Sequence, residues 1–149
     1  MSRSGYNDYD DIGDPWRWIM WRGAVASSIR GVRGQAFLRE LIDALDAMSR
    51  KTLVVGELQV DGEFCALGVV GQARGLDLTK INTENWRQIS DNFGIAVSLA
   101  REIMFENDEG SCWGDARGTD RWAHVRRWAE SKLTRTAELP APQVRAIRV

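Results

Sequence analysis

The sequence has little cysteine, histidine and lysine, and it has no long hydrophobic run. Its 149 residues include 2 cysteines and 1 histidine, too few for a disulfide scaffold or a zinc site. No stretch of roughly eighteen apolar residues occurs, so the sequence contains no candidate membrane span. Residues 1–15 are acidic, instead of basic and then apolar, so we expect no secretory signal and a cytoplasmic protein.

The balance of charge and the apolar content bound the class of protein. Lysine and arginine total 20, aspartate and glutamate total 21, and 44% of the residues are hydrophobic. A generic nucleic-acid coat needs an excess of positive charge, so this balance argues against that class. The composition fits a single soluble domain, which we place at residues 16–133. Residues 1–15 are predicted to form a flexible acidic arm, and residues 134–149 an extended tail.

Arginine and tryptophan are frequent. Of the 20 basic residues 17 are arginine, and the chain carries 7 tryptophans. One interpretation is a GC-rich genome, which exchanges lysine for arginine without regard to function. The other is recognition, because arginine binds carboxylates and phosphates through paired hydrogen bonds, and both residue types are enriched where proteins bind proteins. Composition alone leaves both interpretations open.

Two helices are predicted in the first third of the chain. Asp14 followed by Pro15 is typical of a helix start. The nearly continuous apolar residues over 16–29 predict a first helix that is largely buried, and Gly31 ends it. An amphipathic pattern then predicts a second helix over residues 34–48.

An Asp-Gly pair between two apolar stretches predicts a β-hairpin from Leu53 to Val70. Asp61 and Gly62 accept the positive φ angles of a type I′ turn, and a turn of this length fixes the register of the strands. The predicted pairs are Val60 with Glu63, Leu58 with Cys65, Gly56 with Leu67 and Val54 with Val69.

The second half of the chain is predicted to be helical, after a polar connection over residues 71–80. We expect helices over residues 84–93, 95–107 and 119–133, with Gly94 between the first two. The candidate caps are Asn82 or Thr83 for the first of these helices and Thr119 or Asp120 for the last. The resulting fold class is α+β, with about five helices packed around the hairpin in a single compact domain.

Catalytic and metal-binding residue types are scarce. His124 lies on the last predicted helix with no nucleophile tied to it by sequence. Cys65 falls inside the hairpin, where a free thiol packs as a small hydrophobe, and Cys112 lies in a loop. No Cys-x-x-Cys spacing and no glycine-rich phosphate motif occurs. We therefore predict no cofactor, no metal and no enzymatic activity. An enzyme would need a pocket that collects Cys112, His124 and carboxylates.

The segment from Ile89 to Ile103 partly matches a helix-turn-helix, with Gly94 in the turn. A recognition helix presents basic and amide side chains to DNA, whereas this one carries carboxylates along its second half and beyond its end. They are Glu102, Glu106, Asp108 and Glu109. An ordinary helical hairpin is therefore the favoured interpretation.

Three groups of residues are candidate contacts for a partner. Arg30 and Arg33 flank a glycine turn at the start of the second helix, where free backbone N–H groups favour an anion, and Arg22 can join them. For these arginines, the alternative is a tight helix connection with solvated side chains. For the acidic residues named next, the alternative is a solvated helix end. The other candidates are the acidic residues Glu106, Asp108 and Glu109, the basic residues Arg126 and Arg127, and Trp113 in the loop between them. Segregated charge on a neutral chain favours protein recognition.

Three stretches resemble a family of uncharacterised phage and prophage proteins. They are IRGVRGQAFLRELIDALDAM (residues 29–48), DGEFCALGVVG (residues 61–71) and ENDEG (residues 106–110). The similarity extends from about Trp16 to Trp128. The family has no assigned activity or catalytic residue, so the resemblance implies context only: a cytoplasmic accessory protein made during phage infection or carried in a prophage.

The first hypothesis is a non-enzymatic module that binds a host or phage protein complex, with inhibition of a host-defence complex as one form of that function. The alternative is a regulatory nucleic-acid-binding protein that uses segregated arginine surfaces. Those surfaces contain Arg30, Arg33, Arg121, Arg126 and Arg127. Salt separates the two hypotheses, because phosphate binding weakens steeply as salt rises. The sequence predicts neither the partner's identity nor the oligomeric state.

Overall fold

The computed structural model describes residues 3–6, 14–110 and 117–134, and these are mostly helical with one small antiparallel sheet. The helices are α1 (Pro15–Arg30), α2 (Val32–Asp46), α3 (Ala66–Ala73), α4 (Trp86–Phe93), α5 (Val97–Asp108) and α6 (Gly118–Ser131). The strands are β1 (Gln59–Val60) and β2 (Glu63–Phe64), and a 3₁₀ turn spans Leu78–Lys80. The α+β class is confirmed in this coarse sense, with six α-helices in the described ranges instead of about five.

Most of the other helices pack on α5. It contacts α1, α3, α4 and α6, while α2 contacts α1, α3 and α6. Leu38 and Leu41 of α2 and Ile103 and Met104 of α5 are fully buried in one hydrophobic cluster. Both strands are exposed or half-buried. The core is therefore mainly helical. We predicted that the hairpin lies at its centre, and this prediction was wrong.

The first helix forms where predicted, but it is not largely buried. Asp14 Oδ1 accepts a hydrogen bond from the Trp16 N–H (3.1 Å), as expected for the helix start. Only Val25 and Ile29 of α1 are buried, and residues 14–20 are all exposed. The prediction of burial was wrong because an apolar run does not reveal whether another element covers it.

The turn of the hairpin is as predicted, but its ladder is short. Asp61 and Gly62 have φ angles of 50° and 80°, as a type I′ turn requires. Val60 pairs with Glu63 as predicted. The same register continues with Gln59 opposite Phe64, and the Cys65 N–H donates to the Leu58 carbonyl (3.2 Å). The predicted second strand was wrong from Ala66 onward, because residues 66–73 form α3. The pairs Gly56 with Leu67 and Val54 with Val69 are therefore absent.

Local hydrogen bonds start α3 where the sequence pattern favoured a strand. Cys65 precedes the helix, and its Sγ accepts from the Gly68 N–H (3.4 Å). Asn107 of α5 accepts from the Ala66 N–H (2.9 Å). Residues 66–71 are all buried. A short apolar run that is covered on every side lacks the periodicity that separates a helix from a strand.

The predicted caps of the later helices shift by a few residues. Asn85 caps α4, since its Oδ1 accepts from the Gln88 N–H (3.0 Å), and neither Asn82 nor Thr83 does so. Gly94 ends this helix in the left-handed conformation, with φ 69°, as predicted.

The last helix also begins earlier than predicted. α6 starts at Gly118, so neither Thr119 nor Asp120 is its cap. Asp120 instead accepts a hydrogen bond from the backbone N–H of Arg117 (3.3 Å). A side chain within the helix thus accepts a hydrogen bond from a backbone N–H group at the helix start, which would otherwise lack a partner in the helix.

Residues 3–6 pack against the domain, so the predicted arm does not include them. Arg3, Ser4 and Tyr6 are 9%, 0% and 6% exposed. Residues 7–13 and the predicted tail over residues 135–149 lie outside the described residues. The arm prediction was wrong for residues 3–6 because charge and glycine content alone do not show what a short segment contacts.

We predict that Gly68→Ala destabilises the protein by at least about 2 kcal/mol. A Cβ at Gly68 would overlap the carbonyl oxygen of Leu58, a backbone atom that the hairpin holds in place. The measurement is the free energy of unfolding in urea.

Gly23→Ala is the matched control, because an added Cβ there meets nothing within 4 Å. It lies inside α1, where alanine is favoured over glycine by about 0.5–1 kcal/mol. Equal stability of the wild type and Gly68→Ala would show that α3 and the hairpin do not approach this closely.

Candidate functional site

Glu102 of α5 lies inside the protein instead of on an acidic surface. It is 3% exposed, and its two oxygens accept hydrogen bonds from the Arg22 guanidinium (2.6 and 3.1 Å). The Tyr6 hydroxyl donates to Glu102 Oε2 as well (2.6 Å). Burial and this hydrogen bond raise the pKa of Tyr6. Arg22, a predicted partner contact, is therefore engaged within the protein.

Asp108, another predicted partner contact, neutralises a buried arginine. Arg3 donates to both carboxylate oxygens (2.6 and 2.9 Å). Asp108 Oδ1 also accepts from the Gly56 N–H (3.2 Å) and the Asn107 side-chain amide (2.8 Å). The side chains of Arg3 and Asp108 are 4% and 12% exposed. The charge of Asp108, which we expected to face a partner, is therefore compensated within the protein.

Glu106 pairs with His124 and joins α5 to α6. His124 Nε2 lies 2.6 Å from Glu106 Oε2, and both side chains are half-buried. Burial raises the pKa of Glu106, and the hydrogen bond with His124 partly opposes this. The pair lies beside an open cleft of ≈ 530 Å³ that Glu109 and Arg127 also line. Of these two candidates, Arg127 is exposed and Glu109 is half-buried.

Arg30 and Arg33 are exposed on either side of the connection between α1 and α2. Gly34 makes this connection tight, because a Cβ there would overlap the carbonyl oxygen of Ser28. Arg22 does not join them, since it binds Glu102. Arg30 and Arg33 remain candidate contacts for a partner, without Arg22.

The basic surface of α6 is smaller than the sequence suggests. Arg126 donates to both oxygens of Asp46 (2.6 and 3.0 Å) and to Glu130 (3.1 Å). The hydrogen bond with Asp46 is the main cause of the raised pKa of Arg126. Arg121 donates to the carbonyl of Leu53 (3.0 Å). Arg127 is the exposed one of the three.

Sequence reasoning missed a buried arginine in an aromatic cage. Arg101 is 4% exposed and lies over the rings of Trp86, Trp21 and Tyr6, at 3.8, 4.3 and 5.6 Å from their centroids. Cation–π contacts of this kind help to compensate the charge of a buried guanidinium. The available signal was an arginine within the apolar stripe of α5, but its aromatic partners come from distant segments.

The N-terminal half of α1 presents an exposed apolar face. Trp16, Ile19 and Met20 are 71%, 57% and 73% exposed. Their spacing of three and four residues puts them on one side of the helix. We call these three residues the α1 face. It is the densest group of exposed large hydrophobic side chains among the described residues.

Some predicted candidates cannot be placed. Trp113 and Cys112 lie outside the described residues. Cys65 is buried as predicted, and its Sγ also receives an N–H from Arg3 at 3.7 Å. Within the described ranges, no three histidine, cysteine or acidic residues come together as metal ligands. None of the described helices has both the length and the hydrophobicity needed to cross a membrane.

No protein-family model, no curated protein and no solved structure matches this chain.

We predict that Glu106→Gln changes the pH dependence of stability. Because the folded-state pKa of Glu106 is raised above the ordinary value of 4.5, the folded protein holds this proton more tightly than the unfolded chain. The contribution of Glu106 is therefore complete below that ordinary value and is lost as pH rises through the folded pKa. The free energy of unfolding of the wild type, relative to Glu106→Gln, should fall as pH rises above the ordinary value of 4.5.

Glu84→Gln, at an exposed position, serves as the control and should give a curve parallel to that of the wild type. If the pH dependence of Glu106→Gln were also parallel to that of the wild type, Glu106 would have the same pKa in the folded and unfolded states.

Proposed function

We propose that this protein is a non-enzymatic protein-binding module and that the α1 face is its main contact surface. The observation that carries the proposal is the exposure of Trp16, Ile19 and Met20 on one side of a well-formed helix. Large apolar side chains grouped on a protein surface are typical of interaction sites. Anchors at positions i, i+3 and i+4 are those with which a helix binds an apolar groove.

The charges near the α1 face define the chemistry of the partner. α1 contains Arg17, Arg22 and Arg30 and no acidic residue. Arg22 is engaged by Glu102, and Arg17 lies 4.0 Å from Asp14, so Arg30 supplies most of the available charge. Arg33 extends the positive charge into the next helix. Complementarity therefore favours a partner whose apolar groove is bordered by carboxylates.

A second copy of the same chain fits this surface less well. In a symmetric dimer, the same patch faces itself. Two α1 helices would then place arginines opposite arginines, and the nearby carboxylate of Asp14 already lies 4.0 Å from Arg17 of its own chain. We therefore assign the surface to a different protein and not to a homodimer.

The biological context is part of the proposal. The resemblance to phage and prophage proteins favours an accessory protein that acts on a host or phage complex, and inhibition of a host-defence complex is one form of that action. The nucleic-acid alternative is weaker than the sequence suggested. Two of its five arginines, Arg121 and Arg126, donate hydrogen bonds within the protein.

The test compares the wild type with Trp16→Ala/Met20→Ser as baits in a bacterial lysate, with nuclease and at two salt concentrations. We expect the wild type to retain one protein in stoichiometric amount after nuclease treatment. After purification, that protein should bind the double variant at least about 30-fold more weakly, since buried aromatic anchors contribute about 2 kcal/mol or more each. Titration calorimetry measures the affinity.

Val55→Ser is the matched control, because Val55 is 48% exposed but lies outside α1. It should bind like the wild type. Equal binding by Trp16→Ala/Met20→Ser would contradict the proposal. So would retention of nucleic acid alone, or a wild-type dimer that this double substitution dissociates.

A further inference from the structure

The segment over residues 3–6 occupies a groove between α1, α4 and α5. Its polar contacts reach residues that lie 62 to 105 positions away in the sequence. The segment contributes one large apolar side chain, that of Tyr6, and is held mainly by directed polar contacts. In this respect it resembles a bound peptide more than a part of the hydrophobic core.

The Arg3 side chain fills a specific pocket. Its guanidinium binds Asp108 through two hydrogen bonds (2.6 and 2.9 Å). It also donates to Thr83 Oγ1 (3.1 Å) and contacts Cys65 Sγ (3.7 Å). A planar donor group paired with a carboxylate in this way is selective for arginine over lysine.

The Tyr6 side chain fills a second, aromatic pocket. Its ring packs against Phe105, Trp18 and Trp21, with centroid distances of 5.1, 5.8 and 6.0 Å. At the inner end its hydroxyl donates to Glu102 (2.6 Å). Phenylalanine would fill the ring position but would leave the buried carboxylate without this donor.

The backbone between these two side chains is recognised as well. The Arg3 carbonyl accepts from Trp86 Nε1 (2.8 Å), and the Ser4 carbonyl accepts from Arg101 Nε (2.7 Å). Gly5 has φ +73°, and a Cβ there would lie 2.7 Å from Arg101 and 2.8 Å from Trp86. Only glycine fits this position. The Ser4 side chain before it is fully buried, and its Oγ accepts from the Tyr6 N–H (3.4 Å), so the groove reads the pattern Arg-Ser-Gly-Tyr.

The recognising groups keep their positions through contacts that do not involve the segment. Glu102 is also held by Arg22 (2.6 and 3.1 Å). Asp108 is also held by the Gly56 N–H and the Asn107 amide. A site oriented by its own surroundings is preorganised for its ligand.

We propose that this groove is a peptide-binding site, that residues 3–6 are its resident ligand, and that a partner segment with the pattern Arg-Ser-Gly-Tyr binds it by displacing them. Because the resident segment is tethered, it competes at an effective concentration of about a millimolar. A partner segment therefore binds the wild type weakly and binds strongly when the resident contacts are removed.

The test uses the full-length chain and a labelled peptide of residues 2–7, Ser-Arg-Ser-Gly-Tyr-Asn. Fluorescence anisotropy measures its binding to the wild type and to Arg3→Ala/Tyr6→Ala. We expect saturable binding to the double variant and binding at least about tenfold weaker to the wild type. Peptides with arginine replaced by alanine, or glycine by alanine, should bind the double variant at least about tenfold more weakly than the parent peptide.

Two further measurements cover loss of stability and exchange between copies. If Arg3→Ala/Tyr6→Ala is destabilised, the parent peptide should raise its Tm and the alanine peptides should not. Arg3→Gln, which is shorter than arginine but keeps one N–H donor group without the charge, provides a milder second variant. The proposal would be overturned if a folded variant did not bind the parent peptide saturably and if the peptide did not raise its Tm. A wild-type dimer that Tyr6→Ala dissociates would overturn it in favour of exchange between copies.

Discussion

The need to compensate the charges of α5 governs much of this structure. Four helices pack on α5, yet it carries four charged residues with little exposure. Arg101 and Glu102 are buried, and the side chains of Glu106 and Asp108 are 14% and 12% exposed. An ionised group without a partner in such a place would cost several kcal/mol. The compensating groups come from elsewhere: Arg3 and Tyr6 from the N-terminal segment, Trp21 and Arg22 from α1, Trp86 from α4 and His124 from α6. The same contacts therefore bring distant parts of the chain together.

The internal pairing also decides which surfaces are left for a partner. Sequence reasoning favoured the acidic end of α5, where carboxylates cluster. Arg3 and His124 engage two of the three predicted acidic contacts, Asp108 and Glu106. Arg22 and Arg126 are engaged in the same way. Among the described residues, the apolar side chains of the α1 face have no such internal partner, and for that reason we propose it as the recognition surface.

Local features were predictable from the sequence, and long-range ones were not. The start of α1 at Asp14, the type I′ turn at Asp61 and Gly62 and the end of α4 at Gly94 all follow from backbone preferences of single residues. The helical state of residues 66–73 was missed, because a fully buried run has no useful periodicity. The exposure of Trp16 and the burial of Arg101 depend on which segments pack together, and a single sequence does not contain that information.

A double-mutant cycle on Arg3 and Asp108 tests most directly the claim that the charges of α5 are compensated inside. The free energy of unfolding would be measured for the wild type, Arg3→Ala, Asp108→Ala and the double variant. The account predicts that each single substitution costs about 3 kcal/mol or more, and that the double variant costs much less than their sum. A coupling energy near zero would contradict it, because Asp108 would then be a solvated carboxylate at the end of an ordinary surface helix.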